Sequence, residues 1–294
     1  MIKIGILGSD NSHALAFAKL CNLPDAKTGG HEYDDVRVTH IYGHSDEENQ
    51  NVAYEGKVAN IVKDPQEMMG AVDAVMVVFR HGDLHARYAL PFIRAGIPTW
   101  IDKPFTIDIE EAKLLIAQAE KKGTLLTGGS TCKYAYDVLL LKNAVEENRL
   151  GKIVSGMLNF PIKLNSEYGG VHFYGPHLVE MAMQIFGDGI RSVKATVKGE
   201  NAIVIARYED YDIVLNYAAN AQESTGIIIG EERNLVREID KSMIYKQGFE
   251  KFIQMIRTGK RPFELDKLLI ATAVVNAIEK SINTGEEVMI DDCY

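Results

Sequence analysis

Cysteine is scarce in this chain, with three residues among 294. Cys21, Cys132 and Cys293 lie far apart and form no C-x-x-C pair. That argues against a disulfide framework and a structural zinc site, and it suits a reducing compartment. Positive charge is also in deficit: 32 lysines and arginines face 41 acids, a net charge of −9. Nucleic acid and anionic membranes normally need a basic face, so neither is expected as a partner. No apolar run is long enough to span a bilayer, and Met1-Ile2-Lys3-Ile4-Gly5 enters a strand with no signal-peptide pattern ahead of it. Cytoplasm is the expected location. Internal repeats and low-complexity linkers are missing too.

What is present is ordinary globular composition, 46% hydrophobic and 25% charged, in a chain long enough for two domains. Strand and helix alternate through the first part. Strands are expected at Ile2–Leu7, Val36–Ile41, Ala74–Phe79, Pro98–Ile101 and Thr124–Thr127. Helices are expected at His13–Cys21, from the Asp64-Pro65-Gln66-Glu67 capping signal, at Asp83–Ala95 (bent or interrupted by Pro91) and at Asp108–Lys122. Such alternation predicts a doubly wound parallel sheet, with ligands at the carboxyl ends of its strands. From Tyr134 the texture changes to α+β. A helix to about Arg149 precedes a strand at Val154–Leu164 and a helix at His177–Phe186. Strands follow at Val193–Val197, Ala202–Tyr208, Asp212–Ala218 and Gly226–Ile229, then helices at Tyr245–Arg257 and Leu265–Asn283. The fold class is therefore α/β, with domain 1–124 on a parallel sheet and domain 125–294 on a mainly antiparallel open sheet.

Two segments carry chemistry. Thr99-Trp100-Ile101-Asp102-Lys103-Pro104 reads as a short buried strand delivering an acid and a lysine to its carboxyl edge. Gly169-Gly170-Val171-His172-Phe173-Tyr174-Gly175-Pro176-His177 brings two histidines to the start of a helix. One such segment in each half is the pattern of an enzyme. The turn after the first strand, Gly8-Ser9-Asp10-Asn11-Ser12-His13, keeps only the first glycine of the G-x-G-x-x-G dinucleotide fingerprint. Its serines and Asn11 can still donate hydrogen bonds to an anion at a helix N-terminus. After the second strand comes Tyr42-Gly43-His44-Ser45-Asp46. Here His44 and Ser45 suit a phosphate and Asp46 a ribose, which leaves NAD and NADP both open.

Together these residues resemble the Gfo/Idh/MocA oxidoreductases, the glucose–fructose oxidoreductase and inositol dehydrogenase group. The resemblance runs over nearly the whole chain. It rests on Ile2–Gly8, on Val72–Val78 followed by His85-Ala86, and on Ala95-Gly96-Ile97-Pro98 leading into Asp102-Lys103-Pro104. It continues through Leu150-Gly151-Lys152-Ile153-Val154 and Gly175-Pro176-His177 to a tail with Ala277–Ser281, Gly285 and Val288. It implies an N-terminal Rossmann domain, a second domain that often carries the oligomer contact, and nicotinamide-dependent chemistry on hydroxyl carbons of sugars, inositols or related polyols. The family's Glu-Lys-Pro lysine corresponds to Lys103, with Asp102 in place of the glutamate. Its Asp-x-Gly-x-His histidine corresponds to His177, with Phe173 in place of the aspartate. The acid three residues on is Glu180, and Arg80-His81 replaces a Thr-Pro pair.

The implied roles stand beside plainer ones. Lys103 polarises a substrate oxygen, or is a solvated lysine paired with Asp102. His177 is a general base with Glu180 orienting it, or a helix-end histidine beside a surface acid. His172 and Tyr174 take over proton transfer or shape a sugar pocket. Arg80 clamps a carboxylate or phosphate, or forms an ion pair. Lys133 and Tyr134 line the substrate side. The cofactor set is Gly8, Ser9, Asp10, Asn11, Ser12, His44, Arg80, His81, Asp102 and Lys103. No metal is expected, because His172, His177 and Glu180 match no strong ligand spacing. The expectation is an NAD(P)-dependent dehydrogenase or reductase of a small polar substrate, acting as a homo-oligomer, dimer or tetramer. A metabolite-binding protein that has lost hydride transfer is the alternative. A lyase or hydrolase using nicotinamide transiently comes third.

Overall fold

The computed structural model describes residues 1–25 and 28–294, and they divide into two compact units. The first comprises Met1–Thr106, Glu110–Gly128 and Tyr245–Leu265. It opens with β1 (Ile2–Leu7), whose side chains from Ile4 onward are fully or almost fully buried. A strand covered on both faces needs no polar alternation, and this apolar run shows none. There follow α1 (Ser12–Asn22), β2 (Val36–Tyr42), α2 (Asp46–Glu55), β3 (Asn60–Ile61), β4 (Ala74–Val77), α3 (His85–Arg94), β5 (Thr99–Ile101), α4 (Ile109–Lys122) and β6 (Leu126–Gly128).

The six strands pair in parallel in the order β3-β2-β1-β4-β5-β6. The chain winds outward from β1 in one direction and then, from β4, in the other. The winding reverses between β1 and β4, where open α/β sheets bind ligands. Two local expectations change. The Asp64 capping box forms, with both reciprocal bonds present, but it caps only a 3-10 turn at Pro65–Met68. Gly70, at φ +79°, turns the chain out of the helical path just beyond it. Pro91 lies inside α3 without ending it, because its ring costs one backbone bond in an otherwise buried helix.

The second unit comprises Ile107–Ile109, Gly129–Ile244 and Asp266–Tyr294. After a 3-10 turn at Thr131–Tyr134 come α5 (Tyr136–Glu146), β7 (Ile153–Phe160), α6 (Val171–Phe186), β8 (Ser192–Lys198), β9 (Asn201–Arg207), β10 (Asp212–Tyr217), β11 (Thr225–Gly230) and β12 (Asn234–Glu238). The chain then makes α7 (Ile244–Thr258), α8 (Asp266–Thr284) and β13 (Val288–Met289). The sheet order is β12-β11-β7-β10-β9-β8-β13, antiparallel apart from the parallel pair β7 and β10. Leu158, Phe160, Ile213, Leu215, Val204 and Ile228 fill its buried face.

The sequence boundary at 124/125 moves in two ways. Leu126–Gly128 is the last strand of the first sheet, and 245–265 returns to the first unit. That return has a packing cause. Phe249 and Phe252 on α7 are fully buried, ring centroids 5.9 Å from Phe17 and 6.0 Å from Trp100 respectively. Helix α6 also begins six residues before the expected His177. Gly170 (φ +60°) precedes its first residue, and Pro176 sits inside it. His172 and Tyr174 are therefore helical, and His177 lies in the second turn.

Candidate functional site

In the first unit the turn after β1 sits where the winding reverses. Gly8 has φ +111°, and a Cβ there would lie 2.4 Å from the Phe79 backbone nitrogen, so only glycine lets the two chains approach. Asn11 caps α1, its Oδ1 accepting the His13 N–H at 3.2 Å. Asp10 is turned aside: its Oδ2 accepts the Arg80 N–H at 3.2 Å. Ser9 and Asn11 are buried, yet Ser9 Oγ and Asn11 Nδ2 have no hydrogen-bond partner among the described residues. Buried donors of this kind normally find one. Two such donors beside a helix N-terminus fit a dinucleotide's diphosphate.

Lys103 and Asp102 follow β5. Lysine is almost never fully buried unless it is paired, and Lys103, 1% exposed, has the Asp102 charge beside it. Asp102 is fully buried and binds the His13 ring, Oδ2 to Nδ1 at 2.5 Å. Burial works to raise its pKa. The His13 imidazole, with Lys103 and His85 adding to it, outweighs burial and holds the carboxyl below its ordinary value. His85, one of the residues that carry the resemblance, is enclosed. Its ring nitrogens face the Phe79 carbonyl at 2.9 Å and the Pro104 carbonyl at 2.6 Å, tying the ends of β4 and β5 together. Burial pushes its pKa down against those carbonyls and Asp102. His81 pairs with Asp83 at 3.0 Å on the surface. His44 is exposed, its Nε2 2.7 Å from Tyr88 Oη.

In the second unit His177 is buried under two aromatic rings, Tyr174 stacked at 5.5 Å and Phe160 at 5.1 Å. Its Nδ1 lies 2.6 Å from Ser130 Oγ. Glu180 does a different job from the one expected. Its Oε1 accepts the Ser130 N–H and its Oε2 the Lys133 ammonium, both at 2.7 Å. The helical step from residue 177 to 180 points the carboxylate at that turn. Lys133 and Tyr134 are accordingly buried, and the Tyr134 hydroxyl is pushed up by burial and then by Glu180. His172 is also buried, Nε2 3.2 Å from Glu279 on α8, whereas Tyr174 is 37% exposed. A cavity of about 510 Å³ beside it is lined by Lys163, Tyr168, Phe173 and Tyr174. Among the described residues no three of His, Cys, Asp and Glu gather as metal ligands, and no helix is long and apolar enough to cross a membrane.

Residues 2–130 match the model of an oxidoreductase family with an NAD-binding Rossmann fold, Gfo/Idh/MocA. The match falls on the first unit and the turn after β6, and it is those residues that are similar to the family. An uncharacterized oxidoreductase of Schizosaccharomyces pombe is 27% identical over 209 residues, 64% of this chain and 56% of its own. The NADP(+)-dependent scyllo-inositol 2-dehydrogenase IolW of Bacillus subtilis is 24% identical over 279 residues, 89% of this chain and 73% of its own. The chain spans about half the length of most curated relatives it matches. A scyllo-inositol dehydrogenase of Lactobacillus casei, solved with NAD(H) and scyllo-inositol, shares the fold at TM-score 0.83 and 16% identity, covering 99% of both chains.

Three residues that the sequence left unassigned now have places: His13, bound to Asp102, and Gly129 and Ser130, packed and bonded against Glu180. The adjacent Gly128-Gly129-Ser130 was the available signal for the last two, since small residues after a strand end mark close chain approach. His13 had no such signal, because its partner is 89 residues away.

Proposed function

We propose that this protein is an NAD(P)-dependent oxidoreductase acting on a hydroxyl or keto carbon of a small polyol, sugar or related acid. Lys103 carries the reading: it stands beside Asp102 at the carboxyl end of a Rossmann strand, the edge at which open α/β sheets bind ligands. Ser9 Oγ, Asn11 Nδ2 and the first N–H groups of α1 would hold the diphosphate. Bound nicotinamide supplies or accepts the hydride. Lys103 Nζ donates a hydrogen bond to the substrate oxygen and stabilises its negative charge, and His177 exchanges the hydroxyl proton. Tyr174, half exposed over His177, contacts substrate, while Glu180 and Lys133 hold the turn behind it. The inositol dehydrogenases among its relatives make scyllo-inositol the first substrate to try.

The test is calorimetric titration with NAD⁺ and NADP⁺, followed also by quenching of Trp100, and then scyllo-inositol oxidation with whichever binds. Saturable binding by both methods supports the reading. Failure of both nucleotides would overturn it and leave a metabolite-binding protein.

We also propose a homo-oligomer, dimer or tetramer, built on the open face of the second sheet. Cross-strand pairs align Val236, Ile227, Met157, Val214 and Ile205 in one apolar row across five strands, with Ile203 and Ile229 exposed beside it. Contiguous exposed apolar surface of this kind marks an interaction site. Sedimentation of the wild type should give an oligomer and Ile227→Asp a smaller species; a monomeric wild type would refute the assembly.

A further inference from the structure

Phe173 stands where the resemblance calls for an aspartate, and the fold gives that ring a setting of its own. It lies half-buried in the first turn of α6, its centroid 5.1 Å from Tyr168 and 4.3 Å from Tyr174. Gly169 and Gly170, at φ +103° and +60°, turn the chain between Tyr168 and the helix. Tyr174 in turn stacks on His177 at 5.5 Å. Four rings therefore follow one another from the proposed base to Tyr168. Three of them, Tyr174, Phe173 and Tyr168, line the cavity of about 510 Å³, which is of ordinary ligand-pocket size. The rest of its rim is polar, with Lys163, Glu167 and Glu200 exposed along it.

We propose that this cavity is a second sugar subsite, so that the substrate is a glycoside of at least two rings. One ring reacts beside His177 and Tyr174, and the next packs its C–H face on Phe173 and Tyr168. A pyranose or inositol ring presents a C–H face that covers about one aromatic ring, and Tyr174 already serves the reacting ring. Phe173 and Tyr168 extend the apolar floor past it. The hydroxyl groups around a sugar's edge need both donors and acceptors. The Lys163 ammonium supplies the first, and the Glu167 and Glu200 carboxylates supply the second. Phe173 thus serves recognition at a position where an aspartate would serve proton transfer. This inference rests on the proposed reaction at His177, but its test reads binding and does not require turnover.

That test is saturation-transfer NMR with paired ligands, with and without whichever nucleotide binds. The pairs are galactosyl-myo-inositol against myo-inositol, and cellobiose and maltose against glucose. At least one glycoside should bind about fivefold or more tightly than its single ring, which is what burying roughly 40 Å² of C–H surface is worth. Protons of both its rings should receive saturation. In Phe173→Ala and Tyr168→Ala the ratio of the two affinities should fall toward one, and one ring should lose its saturation. The inference is overturned if no glycoside outbinds its single ring, if saturation stays on one ring, or if both folded variants keep the wild-type ratio. Should Phe173→Ala fail to fold, Tyr168→Ala, which lies ahead of the helix, decides with the wild type. A failed dehydrogenase reading shows itself separately, as a glycoside preference in a protein that binds neither nucleotide. A protein that binds nucleotide and shows no such preference loses the subsite and keeps the reading.

Discussion

The polar clusters of the two units are built on opposite principles. In the second unit, Ser130 and Lys133 saturate the Glu180 carboxylate, and Ser130 Oγ reaches the His177 ring. In the first, Ser9 Oγ, Asn11 Nδ2 and Asp10 Oδ1 are buried atoms with no protein hydrogen bond among the described residues. A closed network sets a side chain in advance and adds rigidity. An open one costs stability when nothing is bound, and a ligand bearing the missing groups recovers that cost. Substitutions in the closed cluster should therefore act mainly on folding and geometry. Those in the open one should act mainly on ligand affinity.

The largest effect should come from the closed cluster. Glu180→Ala leaves the Lys133 ammonium and the Ser130 N–H buried without their acceptor. Removing one partner of a buried ion pair costs about 3–5 kcal/mol. Urea unfolding should show that loss, and the double change Glu180→Leu with Lys133→Met should recover most of it. A single-variant loss below about 1 kcal/mol, the level of exposed pairs, would mean that this cluster is not closed.

Lys103→Ala comes next, read on turnover. A positioned hydrogen-bond donor of this kind contributes roughly a hundredfold or more. If Lys103 acts on the substrate oxygen, stability should change less than rate. Full activity on an identified substrate would remove Lys103 from the mechanism.

The sheets were legible and the clusters were not, for one reason. β4, with four buried residues in a row, and the β–α alternation are local signals of a parallel sheet. The start of α6 was hidden because Pro176, which normally breaks helices, sits inside this one. The return of α7 to the first unit was hidden because periodicity shows that a helix has a buried face but not which core receives it. Lys103 and His177 could be picked from the resemblance because each sits in a short motif. The groups that hold the motifs come from elsewhere in the chain: His13 from 89 residues before Asp102, and Ser130 from 47 before His177. No spacing rule connects such pairs.

Asn11→Ala probes both properties at once. Losing the α1 cap should cost about 1 kcal/mol, and losing Nδ2 should weaken nucleotide binding as well. A change in stability alone would make Asn11 a cap and nothing more.

The smallest effect on folding should come from Ser9→Ala, and it discriminates most sharply. Ser9 Oγ is buried and makes no hydrogen bond among the described residues. Removing it therefore breaks nothing, and unfolding free energy should stay within about 0.5 kcal/mol of wild type or rise slightly. If the hydroxyl is kept for a diphosphate oxygen, nucleotide affinity should fall by about 3- to 10-fold, the worth of one ordinary hydrogen bond. Calorimetry on the folded variant separates the two quantities. Unchanged affinity would mean that the open cluster is open for some other reason. A loss of stability would mean that Ser9 has a partner in the folded chain after all, and the contrast between the units would shrink to Asn11 and Asp10.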